Sequence, residues 1–231
     1  MHNVYNNGSY LENNPTWHEE DAAWKVTQIV QLINGNNLNP STICEIGCGA
    51  GEILNLLSLR FPQHVEFFGF EISRQAFTIC QKKTKKNLKY FFKDLLKESV
   101  AFFDIVMAID VFEHVEEYFI FLRQLKTKGR YKIFHIPLDL SVQTVLRGSP
   151  IINKRKRQHH IHYFTKETAL ATLEDTGYEI LDYFYTGSSL ALPHSGFKTR
   201  VLNIPRKLLF SIAQDLTVRI LGGFSLMVLA R

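Results

Sequence analysis

Three glycines at alternate positions follow an acid in the segment Glu45-Ile46-Gly47-Cys48-Gly49-Ala50-Gly51. Glycines at this spacing let the backbone approach a ligand closely and adopt positive φ. No Lys or Arg lies in the loop, and Glu52 stands where a dinucleotide fingerprint has its third Gly or Ala. An acid in front of such a loop suits a ligand with an amino group and a sulfonium, not a pyrophosphate. Glu71 follows about 20 residues on, where an acid can accept both hydroxyls of a nucleoside ribose. The bland alternative is a glycine loop that only packs a strand against a helix.

Further along, Asp110, Glu113 and His114 stand at i, i+3 and i+4. A helix starting there would turn all three side chains to one face. His114 is then a candidate general base, because imidazole titrates near neutrality. Local capping or ion pairing of Glu113 and His114 is the plainer alternative. His159, His160 and His162 precede Phe164-Thr165. Of these, His160 and His162 join the catalytic candidates, where the group could supply another ligand or a substrate contact. The run Lys154-Arg155-Lys156-Arg157 could hold a phosphate, a nucleotide-sugar or RNA, or simply be solvated; the aromatic interleaving of single-strand binders is missing. Near the start, Tyr5, Tyr10, Trp17 and His18 could close over a bound ligand or pack on the core.

These residues need a scaffold. Ala22, Val26, Ile29, Val30 and Ile33 recur at helical spacing and predict a helix over about residues 17–34. Apolar runs predict strands at 42–46, 65–70, 88–92, 104–109 and 131–136, with helices between them. Such alternation is the signature of a parallel, doubly wound sheet. The last third differs. Thr165 reads as an N-cap and Gly177 as the residue past a helix end. Strands at 178–185 and 224–230 then follow in succession, which implies an antiparallel addition. The expected fold is α/β, a three-layer doubly wound (Rossmann-like) sheet of about seven strands, mostly parallel with an antiparallel last strand. The expected organisation is one domain over residues 1–231, with an N-terminal arm and helix at 1–40. Segments 140–164 and 186–222 are long for connections and read as lid-like insertions.

Four segments in order resemble the S-adenosylmethionine-binding core of class I methyltransferases, in particular the broad type 11/type 12 small-molecule group. They are Glu45 to Gly51, Gly69-Phe70-Glu71-Ile72-Ser73, Lys93-Asp94-Leu95 and Asp104 to His114. The resemblance covers residues 42–115 and runs more weakly to the C-terminus. It implies S-adenosylmethionine as cofactor. Glu45, Gly47, Cys48, Gly49 and Gly51 would form its loop, and Glu71 would take the ribose hydroxyls. Asp94 would accept from the adenine amine, with Leu95 completing that edge, although Asp94 also reads as a helix N-cap. Phe70 or Ile72 would flank the ring, and Ile109 and Asp110 would lie along the methionine part. The implied reaction is methyl transfer to an O or N nucleophile of a small molecule.

Asp110-x-x-Glu113-His114 also resembles the E-x-x-E-H metal motif of small-RNA terminal 2′-O-methyltransferases and some quinone-biosynthesis O-methyltransferases. A metal-assisted RNA 2′-O-methyltransferase is therefore the alternative. Asp110 is one methylene short of the motif's first ligand, and no metal is assigned.

Composition narrows the setting. With 231 residues, 45% hydrophobic, the chain can bury a sizeable core. A net charge of +5 is far from the dense basic face of a dedicated nucleic-acid binder. Nucleic acid is an unexpected partner, and a small-molecule methyl acceptor the expected one. Three cysteines suggest no disulfide framework, so a reducing, cytoplasmic location is expected. No apolar run is long enough to span a bilayer.

Overall fold

The computed structural model describes residues 16–17, 19–187 and 206–231. Tyr5, Tyr10 and His18 lie outside the described residues, as does most of the arm and much of the 186–222 insertion. Seven strands form one sheet: β1 (Thr42–Ile46), β2 (Glu66–Glu71), β3 (Leu88–Phe92), β4 (Phe103–Ile109), β5 (Gly129–Leu138), β6 (Ile180–Thr186) and β7 (Phe224–Ala230). Their order is β3-β2-β1-β4-β5-β7-β6. The first five pair in parallel, and β7 runs antiparallel to both β5 and β6. The last strand thus inserts between its two predecessors instead of adding at the rim, and β6 becomes the edge. The strands run one or two residues beyond several predicted ends.

Strands such as Phe103–Ile109 read as continuous apolar runs because helices cover both faces of the sheet. On one face lie α1 (Glu19–Gly35) and α2 (Glu52–Arg60). Their Ile29, Ile33, Leu54 and Leu57 are fully buried against Ile43, Ile105 and Met107. Such a side chain contributes about 1.5–3 kcal/mol when removed from water. The other face is aromatic, with Phe70, Phe103, Phe112, Phe134 and Phe164 in one cluster. Between β2 and β3 runs α3 (Arg74–Cys80), and between β4 and β5 runs α4 (Tyr118–Lys126).

Residues 140–164 fold into two short helices, α5 (Val142–Arg147) and α6 (Ser149–Gln158). A capping box of Ser141 and Thr144 starts α5. The helix α7 (Lys166–Asp175) opens on the Thr165 cap and ends before Gly177, whose φ is 89°. The described end of the second insertion contains α8 (Gln214–Leu221). Among the described residues, no helix is long and apolar enough to cross a membrane.

Candidate active site

The parallel strands β1, β2, β4 and β5 all end on one side of the sheet, where open α/β sheets bind ligands. There a cleft of about 560 Å³ opens. Glu45, Gly47, Cys48, Gly49, Gly51, Glu71, Ile72, Ile109, Asp110, His114 and His160 all border it. Four expected site residues do not: Asp94, Leu95, Glu113 and His162. The Asp94 carboxylate caps the turn after β3, accepting from the Leu96 amide at 3.0 Å. Leu95 is buried in the core. His162 Nε2 bonds the Val115 carbonyl at 2.9 Å, and its ring lies against Tyr118.

The glycine loop spends its own backbone donors. The Gly47 and Cys48 amides donate to the Phe70 carbonyl at 2.8 and 3.2 Å, and the Gly51 amide donates to Cys48 at 2.8 Å. The Gly49 amide donates to Glu71 Oε2 at 2.8 Å. Little remains to cradle a pyrophosphate, which argues against a dinucleotide. Gly47 and Gly51 have φ of 66° and 78°. At Gly51 a Cβ would lie 2.7 Å from Cys80 and the Tyr90 ring, so this glycine is required by strand–helix packing as well. The packing reading of the loop therefore holds at Gly51, while Gly47, Gly49 and Gly51 also border the cleft.

Glu71 is buried, and Oε1 accepts from the Ile72 and Ser73 amides at 2.8 and 2.6 Å. Burial raises its pKa, while those amides and Gly49 oppose the rise. Three bonds leave acceptor capacity on Oε2 for a ligand hydroxyl. Glu45 is more exposed to electrostatic cost. It is 2% accessible, and Oε2 has no hydrogen-bond partner. Burial drives its pKa well above the ordinary range. A buried carboxyl group with one unpartnered oxygen at the cleft wall fits an incoming ammonium group. Together Glu45 and Glu71 fit the amino-acid and ribose ends of S-adenosylmethionine.

The stretch after β4 departs from the helical expectation. Asp110 has φ of 54°, and only Phe112–His114 form a single 3₁₀ turn. The shared face of Asp110, Glu113 and His114 therefore does not form. Asp110 turns away to His135 Nδ1 at 2.6 Å and Lys25 Nζ at 2.8 Å. Burial alone would raise its pKa, but His135 and Lys25 hold it well below the usual carboxylate range. Lys25 comes from α1 and also pairs with Asp21 at 3.1 Å. His135 Nε2 meets Thr186 Oγ1 at 2.9 Å.

Glu113 and His114 instead meet His160. One ligand-type atom from each lies within 4.8 Å of the others. His160 Nδ1 donates to Asp139 Oδ2 at 2.5 Å, and Lys154 Nζ approaches the other Asp139 oxygen at 3.3 Å. His114 Nδ1 donates to the His159 carbonyl at 3.1 Å. Burial, aided by His160, lowers the His114 pKa to about 4, so its ring is neutral at physiological pH. Lys25, His135 and Asp139 are site residues that motif reading missed. Lys25 carried a signal, since it sits among Ala22, Val26 and Ile29 on the apolar stripe of α1. Asp139 also carried one, as another acid directly after a strand. His135 sits inside an apolar strand, and nothing local marks it.

This arrangement defines a protein class: a seven-stranded α/β sheet with a nucleoside-type loop and acid at one end of its cleft. Solved structures share the fold. Magnesium protoporphyrin IX methyltransferase from Synechocystis PCC 6803, with bound SAH, is 16% identical, with a TM-score of 0.59 over 95% of this chain and 85% of that one. The plantazolicin methyltransferase in complex with SAH is 18% identical, with a TM-score of 0.57 over 97% and 88% of the two chains. N-methyltransferase NodS from Bradyrhizobium japonicum WM9, in complex with SAH, is 14% identical, with a TM-score of 0.57 over 90% and 86%. No curated protein matches the sequence. A family model described as a methyltransferase domain matches residues 17–183, and the chain belongs to that family. It is a methyltransferase with the class I, S-adenosylmethionine-dependent fold.

Proposed function

We propose that the protein transfers a methyl group from S-adenosylmethionine to an O or N nucleophile of a small molecule. One observation carries this reading: a single cleft is bordered by Glu45, Glu71 and the glycine loop at the ends of β1 and β2, and by His114 and His160 from the segments after β4 and β5. Its volume is in the range of small-molecule pockets. The cofactor supplies an activated methyl on a sulfonium, so the protein's work is alignment, water exclusion and proton management.

In this reading Glu45 holds the cofactor's ammonium, Glu71 its ribose, and Gly47, Ile109 and Asp110 line the methionine arm. Lys25 and His135 keep Asp110 ionised and fixed. The acceptor sits against His114 and His160. With the cofactor bound, the acceptor's lone pair would take the methyl carbon and the carbon–sulfur pair would remain on sulfur. The acceptor's proton leaves toward the imidazole cluster, where Asp139 fixes the His160 ring. Residues 1–231 act as one domain, with helices α5 and α6 as a cover beside the cleft. Three buried free cysteines support a reducing, cytoplasmic setting.

The test has two stages. Calorimetry is expected to show S-adenosylmethionine binding, and no detectable binding would overturn the reading. Methyl-labelled donor is then offered to hydroxyl and amine acceptors and to short RNA. Label on RNA alone would overturn the small-molecule assignment.

A further inference from the structure

Helices α5 and α6 of the 140–164 insertion have no buried residue. A short helix in water gains its stability mainly by burying an apolar face. Such a face exists on α5, where Val142, Val145 and Leu146 stand at i, i+3 and i+4. All three are exposed, Leu146 to 82%. Residues 206–212 are also helical and repeat the pattern with Leu208, Leu209 and Ile212, all exposed, Ile212 again to 82%. In α8 the buried residues are Thr217 and Val218, while Leu216 and Ile220, one turn apart, are exposed. These helices meet. The helix α5 packs on α8. A Cβ at Gly222, just past α8, would lie 2.6 Å from Ser141 Oγ at the start of α5. Arg206 donates to the Leu221 carbonyl at 3.0 Å, which joins the 206–212 helix to the same point.

Charge follows the same helices. The insertions 140–164 and 186–222 together hold ten Lys and Arg and one acid, Asp215. Asp215 is taken by Lys166 of α7 at 2.7 Å. The whole chain carries a net +5, so everything outside the two insertions is net acidic. Arg147, Arg155, Lys156 and Lys207 are exposed on or beside the helices that expose the aliphatic residues. Aliphatic side chains in water with basic ones at their margin form an amphipathic surface, not an evenly solvated face.

We infer that the surface formed by α5, α6, residues 206–212 and α8 docks on an anionic lipid bilayer. Its aliphatic side chains enter the boundary of the acyl chains, and its Lys and Arg side chains meet the headgroup phosphates. Other occupants fit less well. A second copy would set one basic face against another. The chain's own residues 188–205 add Lys198 and Arg200 and no acid, so they bring no complementary charge. Single-stranded RNA calls for stacking rings, whereas the exposed apolar residues on these helices are Val, Leu and Ile. Lys154 and Gln158 of α6 border the cleft, so docking sets the cleft beside the membrane surface.

Docking can be read without any methyl acceptor and does not depend on the proposed methyl transfer. The full chain is mixed with vesicles of phosphatidylcholine alone, or of phosphatidylcholine and phosphatidylglycerol in equal parts, and floated on a density gradient. It is expected to float with the mixed vesicles and to do so less as salt rises. Two double variants test the two parts of the surface: Leu146→Ser with Ile212→Ser, and Arg155→Glu with Lys156→Glu. Each pair is expected to weaken vesicle binding at least about tenfold. None of the four residues borders the cleft, so circular dichroism and S-adenosylmethionine affinity should match the parent. The inference is overturned if the chain does not float with the mixed vesicles, or if either double variant binds them as the parent does. Binding of short labelled RNA in place of vesicles would assign the surface to nucleic acid. Dimerisation that the Leu146→Ser, Ile212→Ser variant loses, without vesicle binding, would assign it to a second copy. Either result overturns the lipid reading.

Discussion

The ends of β1 and β2 and the ends of β4 and β5 both bury carboxylates, and they treat them oppositely. On the β1–β2 side, Glu71 accepts three backbone amides from within its own loop and the neighbouring one. The site there is made of short segments close in sequence, and its one loose end is Glu45 Oε2. On the β4–β5 side the hydrogen bonds and ion pairs reach far along the chain: Asp110 with His135 and Lys25, Asp139 with His160, and His114 with the His159 carbonyl. Glu113 has no hydrogen-bond partner at either oxygen. The difference teaches that a cofactor common to a fold can be held by local backbone geometry. A particular acceptor needs side chains assembled from distant elements.

The comparison breaks most severely at Gly51. Gly51→Ala forces a Cβ against Cys80 and Tyr90 at a left-handed backbone position. It is expected to cost about 3 kcal/mol of folding stability and most of the cofactor affinity, as read by denaturant unfolding and calorimetry. A parent-like variant would mean that the loop has slack and is not a packed element.

Glu71→Ala comes next. Cofactor binding should weaken by about 1.5–3 kcal/mol, the typical worth of hydrogen bonds to a charged group. Unchanged affinity in calorimetry would show that the ribose is held elsewhere.

On the opposite side, Asp139→Asn should separate the two regions. The amide can present an N–H to His160 Nδ1 and so favour the wrong tautomer. Turnover is expected to fall about 10–100-fold, while S-adenosylmethionine affinity stays at the parent value. A parallel loss of cofactor affinity would show that the two regions are one unit.

The smallest expected effect is a stability gain at Glu45. Its folded-state pKa is raised, chiefly by burial. A raised carboxyl pKa contributes stability that is present below the unfolded value and lost as pH rises through the folded value. Glu45→Gln does not titrate. The ligand-free variant should therefore melt a few degrees above the parent at neutral pH, a gain of about 1 kcal/mol, and the gap should widen as pH rises from the ordinary carboxyl range. Its cofactor affinity should fall. A gap that does not depend on pH would show that Glu45 is not titrating in the fold.

Strand positions, though not the strand order, follow from patterns visible in the chain. Continuous apolar runs bounded by turn residues at Thr42–Ile46 and Phe103–Ile109 leave little room for other elements. The predicted face of Asp110, Glu113 and His114 did not form, because Asp110 takes a left-handed conformation and its charge finds Lys25 and His135. Helical spacing is a local argument, and it lost to an ion pair formed across the sheet. His162 looked equivalent to His160 but faces Val115 and Tyr118, because the chain bends at His162 and is not the regular extended backbone that would put residues two apart on one side.

The amino-acid sequence by itself determined the doubly wound sheet, the glycine loop and the acid after β2. Each depends on residues within a few positions of one another, where sterics and hydrophobic periodicity act directly. Only the tertiary structure decided that Lys25 reaches Asp110, that Asp139 orients His160, and that Glu113, His114 and His160 share one buried point. Those encounters join residues that chain spacing cannot align. Their energies depend on burial, which removes the water that would otherwise satisfy each charge alone.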